Sequence, residues 1–126
     1  MATLPFFVEM DAGREAHGRL SSDWGRKVVG YDRFMAGHWE QHPELGDLEA
    51  FPLVAVITHG HQRLLNLVGS ISEKRQQPVI YYLALWLDLM AGQDVLTAPV
   101  WLIITPEGEI IGRERKQRQP LLPVSR

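Results

Sequence analysis

A single α/β domain with a mixed, mostly parallel central sheet flanked by helices is the fold class this sequence predicts, and three observations carry it. At 126 residues the chain has the size of one domain and can bury one core. Its 45% apolar and 22% charged residues are the balance of a globular chain, not a disordered or fibrous one. Short β-branched or aromatic runs alternate with stretches of helical apolar spacing, in the order β-α-β-α-β-α-β-β.

Phe6-Phe7-Val8-Glu9-Met10-Asp11, closed by Ala12-Gly13, reads as a strand ending in a turn. From about residue 14 to residue 39, Leu20, Trp24, Val28, Tyr31 and Met35 recur at steps of three or four and share one helical face. Gly18, Gly25 and Gly30 oppose that helix by about 1 kcal/mol each against alanine. Residues 40–52 hold Pro43, Gly46, Pro52 and the acids Glu40, Glu44, Asp47 and Glu49 without periodicity, and predict an acidic surface loop. Leu53–Thr58 is continuously apolar between Pro52 and Gly60, which predicts a central strand covered on both faces. Leu64, Leu65, Val68 and Ile71 then mark an amphipathic helix over His61–Lys74.

After Pro78, residues 79–90 fit either a strand and a short helix or one helix; the β propensity of Val79-Ile80-Tyr81-Tyr82 favours a strand to about residue 84. Residues 100–105 and Ile110-Ile111 flank Pro106-Glu107-Gly108-Glu109 as a hairpin. Charge divides the chain: residues 1–112 carry 8 Lys/Arg against 14 Asp/Glu, whereas residues 113–126 carry 5 Lys/Arg against Glu114 alone. The expected organisation is one domain over 1–112 and a basic C-terminal tail over 113–126, in which Arg113, Arg115, Lys116 and Arg118 are either solvated or in contact with phosphate.

Several function classes drop out. With no cysteine there is no disulfide frame, thiolate metal site or cysteine nucleophile. No apolar run approaches the ~20 residues of a membrane span and no basic segment precedes the first apolar one, so no membrane partner and a cytoplasmic location are expected. Residues 13–18 match neither the Walker pattern nor the dinucleotide fingerprint, and there is no GxSxG elbow.

What remains is Glu9-x-Asp11, with Glu15 close by and Lys27 further on. Strand alternation puts Glu9 and Asp11 on one face, where two carboxylates either hold a hard cation such as Mg²⁺ or are simply the charged end of a strand running out to water. Glu9, Asp11 and Glu15 are the candidate metal ligands, and Glu9, Asp11 and Lys27 the candidate catalytic set. Lys27 and Tyr31 stand one helical turn apart. His59-Gly60-His61 lacks a third ligand by spacing, and His38 and His42 share a face only if a helix continues into Pro43, which proline opposes. A third class of function is a small-molecule site at the carboxyl ends of the strands, near Asp11, Thr58 and His59. Trp24, Trp39, Trp86 and Trp101 read as core or interface residues.

Val8-Glu9-Met10-Asp11-Ala12-Gly13-Arg14-Glu15, Lys27-Val28-Val29-Gly30-Tyr31, Phe51-Pro52-Leu53-Val54-Ala55-Val56-Ile57-Thr58 and Pro99-Val100-Trp101 together resemble the C-terminal half of bacterial replication-relaxation proteins. That family is associated with plasmids and mobile elements; its N-terminal half is a winged helix and the half matched here is PD-(D/E)XK-like. The resemblance, over about residues 6–104, implies a restriction-endonuclease-like fold, with Glu9 and Asp11 on the acidic strand and Lys27 displaced into the helix. Two departures weaken nuclease chemistry: only five residues precede Phe6, where a further strand belongs, and Asp11 stands where the strand's lysine belongs. The reading is therefore a non-catalytic remnant acting in assembly, with no cofactor; its alternatives are a Mg-dependent nuclease and a small-molecule binding module. The expected partners are a second copy, joined through an open sheet edge with exposed Trp or Tyr side chains, and a protein carrying the DNA-binding half. An acidic body without a winged helix is not expected to bind duplex DNA by itself.

Overall fold

In the computed structural model of the chain, the described residues are 5–11, 20–91 and 94–122. Five strands form one sheet: β1 (Phe6–Asp11), β2 (Leu53–Thr58), β3 (Tyr81–Leu85), β4 (Leu102–Ile104) and β5 (Ile110–Ile111), in the spatial order of the sequence. β1, β2 and β3 are parallel, whereas β4 runs antiparallel to β3 and β5 antiparallel to β4. The helices α1 (Leu20–Ala36) and α2 (His61–Lys74) make the two crossovers, and α3 (Trp86–Leu89) follows β3 directly. The result is a mixed α/β fold with a central sheet flanked by helices.

Two crossovers of the same hand that step in the same direction across a sheet put both helices on the same face. The main core lies there: Trp24 and Val28 of α1 and Leu64, Leu67, Val68 and Ile71 of α2 pack on Val54, Val56, Tyr81, Leu83, Leu102 and Ile104. Trp24, Val28, Tyr31 and Met35 all reach this core, as their spacing requires. That burial holds α1 straight through Gly25 and Gly30, because tertiary packing outweighs about 1 kcal/mol of local preference at each. The expected helix start near residue 14, and Gly18 with it, lies outside the described residues.

The opposite face carries a smaller cluster of Leu53, Ala55, Ala84, Trp101 and Leu121, flanked by Ile57, Tyr82 and Leu89. β2 is covered on both faces, as its unbroken apolar run predicts, yet it is the second strand and β3 occupies the middle. The segment after β5 returns to this face: a 3₁₀ turn over Arg115–Gln117 precedes Arg118, which is buried, and Gln119 bridges Trp101 through two backbone hydrogen bonds of 3.0 and 2.9 Å. Among the described residues no helix is long and apolar enough to cross a membrane.

β1 forms one edge of the sheet. Its side chains alternate between the helix face, where Phe7 and Glu9 are half-buried and Asp11 is buried, and the other face, where Phe6, Val8 and Met10 are 38%, 53% and 52% exposed. Contrary to the expectation of exposed Trp or Tyr at the edge, no Trp or Tyr is among the exposed large side chains of the described residues. Among the described residues Trp24, Trp39, Trp101 and Tyr81 are buried, and the large exposed side chains at the edge are Phe, Val and Met.

Candidate functional site

Strand alternation carries Glu9 and Asp11 onto the helix face together, and Lys27 of α1 reaches down to join them. Lys27 Nζ lies 3.6 Å from Glu9 Oε2 and 4.7 Å from the centroid of the Trp24 ring, so the ammonium is held between a carboxylate and an aromatic face. One helical turn on, the Tyr31 hydroxyl donates to Glu9 Oε1 at 2.6 Å. Burial, and then the hydrogen bond to a carboxylate, push the Tyr31 phenol well above its ordinary range, so it is a fixed donor at any physiological pH. Glu15 lies outside the described residues.

Asp11 has a separate set of partners. The register pairs it with Thr58, whose hydroxyl donates to Oδ2 at 2.7 Å. Because α2 starts just past the end of β2, its first turn hangs over the end of β1, and Arg63 grips the carboxylate with both arms: Nε to Oδ2 at 2.6 Å and Nη2 to Oδ1 at 2.5 Å. Burial alone would raise the Asp11 carboxyl, but the hydrogen bonds from Arg63 and Thr58 and the Arg63 charge outweigh it and hold the group down at about 2. The buried Trp24 indole N–H makes no full hydrogen bond, yet its dipole adds to that lowering.

The two carboxylates therefore share a face but not a set of partners. Glu9 is neutralised from α1 and Asp11 from α2, and each Asp11 oxygen already accepts a charge-assisted hydrogen bond. A hard cation would have to displace the guanidinium to reach Asp11. Among the described residues no group of three or more His, Asp or Glu side chains is placed to hold a metal ion. His59 is exposed at the end of β2, its ring 6.2 Å from that of Trp86, and His61 opens α2. His38 and His42 bracket a 3₁₀ turn beyond the end of α1, so no helical face joins them.

Arg63 is the residue the sequence reading missed. On a helix of apolar period it looks like any polar residue beside Leu64; only the in-register parallel pairing of Asp11 with Thr58 brings the first turn of α2 over β1. In comparisons with known protein families, with curated proteins and with solved structures, no family model and no protein matches the chain.

Proposed function

We propose that this chain is a non-catalytic assembly module on a restriction-endonuclease-like scaffold, working in plasmid or mobile-element replication by pairing strand β1 with another protein, first of all as a homodimer. The observation that carries this reading is β1 itself, an open edge strand whose Phe6, Val8 and Met10 side chains stand half exposed in a row. Proteins usually shield such an edge with lysine, proline, a bulge or an inward-pointing charge; residues 6–11 contain none of the first three, and their two inward charges, Glu9 and Asp11, are paired within the chain. The resemblance of residues 8–15 and 27–31 to replication-relaxation proteins supports the mobile-element context, and a partner bearing a winged helix would supply the DNA contact.

The non-catalytic half of the reading is supported by the internal pairing of both acids, Glu9 with Lys27 and Tyr31, Asp11 with Arg63 and Thr58. Calorimetric titration with Mg²⁺ and Mn²⁺ tests it. The expected result is no saturable heat at millimolar metal. Saturable binding that disappears in a Glu9→Gln, Asp11→Asn variant overturns it in favour of a Mg-dependent phosphodiesterase using Glu9, Asp11 and Lys27.

A further inference from the structure

The assembly reading leaves the geometry of the contact open, and the backbone of β1 restricts it. Val54 donates its N–H to Ile80 at 2.9 Å, away from β1 and towards β3. Phe7 sits beside Val54 in a parallel register and packs on the same core. On neighbouring parallel strands of L-residues, side chains on the same face go with peptide groups pointing to the same side. Phe7, Glu9 and Asp11 therefore direct their N–H and C=O groups at β2, and Phe6, Val8 and Met10 direct theirs at the open edge. Among the described residues, the three of β1 that expose apolar side chains are the same three whose backbone has no neighbouring strand.

Resting on the assembly reading, we propose that the occupant of this edge is a second copy of the chain, paired β1 to β1 antiparallel about a two-fold axis perpendicular to the sheet, with Val8 opposite the partner's Val8. Antiparallel strands bond only where outward-directed residues face one another, so the register must pair Phe6, Val8 and Met10 among themselves. Centring on Val8 uses all three: Phe6 meets the partner's Met10, Val8 meets Val8, and Met10 meets the partner's Phe6, each pair exchanging two N–H···O bonds. A slip of two residues in either direction loses one of these pairs, and in one direction it also brings Glu9 opposite the partner's Glu9, a like-charge contact. Parallel pairing of β1 with β1 needs the two strands offset by one residue, so an exact two-fold axis cannot relate the copies. The two sheets become one continuous sheet, with every α1 and α2 on one side and the apolar strips of both copies side by side on the other.

The size of the contact selects this occupant. Three half-exposed side chains and one strand of backbone come to a few hundred Å² per copy, below the ~800 Å² per partner of a stable complex, so the dimer is reversible and concentration-dependent. A disordered peptide would have to offset its own ordering from this small contact, whereas a second copy brings its strand already ordered on β2.

The chain contains no cysteine, so introduced thiols report on the register directly. Single variants Val8→Cys, Phe6→Cys and Met10→Cys are oxidised mildly at a concentration where sedimentation of the wild type shows dimer, and folding is checked by circular dichroism. Residues opposite one another in a bonded antiparallel pair have Cα atoms about 5.5 Å apart, within disulfide range. The expected result is covalent dimer from Val8→Cys alone, forming roughly tenfold faster than from Phe6→Cys or Met10→Cys alone, and from an equal mixture of Phe6→Cys and Met10→Cys. A dimer by sedimentation without the Val8→Cys cross-link overturns the register and leaves assembly standing, as does self-linking by Phe6→Cys. A wild type that is monomeric at every concentration overturns both.

Discussion

Asp11 is the side chain whose surroundings most constrain what this face of the sheet can do. Its carboxyl titrates lower in the folded chain, at about 2, than in the unfolded one, so its contribution to stability is complete above the ordinary carboxylate value near 4 and is lost as the pH falls through about 2. Urea unfolding should show about 2 kcal/mol disappearing over that window, and Asp11→Asn should remove this dependence. Arg63→Met leaves a buried carboxylate without its cation, with an expected cost of about 3 kcal/mol at pH 7. Burial, then opposed by Thr58 and Trp24 but no longer by Arg63, moves the Asp11 carboxyl up from about 2, so the gap to wild type narrows as acid neutralises the group towards pH 3. A gap that stays constant from pH 7 to pH 3 contradicts the pairing. None of this could be read from residue 63 in the sequence, because the pair is fixed by a parallel register between segments 47 residues apart.

At the scale of elements, legibility followed punctuation. β1, β2 and α2 begin and end where glycine, proline or a break in period says they should: Phe6–Asp11, Leu53–Thr58 and His61–Lys74. The run after Pro78, which periodicity left open, resolves as β3 and a single helical turn, in line with the β propensity of its first residues. Position within the sheet was not legible to the same degree: an unbroken apolar strand must be covered on both faces, but that makes β2 interior without making it the middle strand. The turn after β5 depends on Gly112, whose φ of 91° favours glycine, whose added Cβ would lie 3.2 Å from the Arg118 backbone, and whose carbonyl accepts Arg118 Nε at 3.1 Å. Gly112→Ala is expected to cost about 2 kcal/mol in urea unfolding, through αL strain and displacement of Arg118. Gly30→Ala in α1, where an added Cβ meets nothing, is expected to stabilise by up to about 1 kcal/mol.

For the molecule as a whole, the apolar pattern of β1 was plain in the sequence while its consequence was not. Phe6, Val8 and Met10 have the composition of a buried strand face, and only the strand order shows that helices cover one side of β1 and leave these three half exposed. The acid pair was likewise legible as two residues on one face, but whether they were free for a cation depended on Lys27, Tyr31, Arg63 and Thr58 arriving from three other elements. The proposed assembly through β1 rests on these two features together, acids paired within the chain and an apolar edge strand. Sedimentation equilibrium of the wild type and Val8→Lys over the same concentration range tests this claim most directly, since Val8 is exposed enough for the lysine to leave the fold unchanged. A reversible monomer–dimer equilibrium in the wild type, and a monomer of unaltered circular dichroism in Val8→Lys, is the predicted result. A wild type that stays monomeric throughout, or a Val8→Lys variant that dimerises equally well, would contradict it.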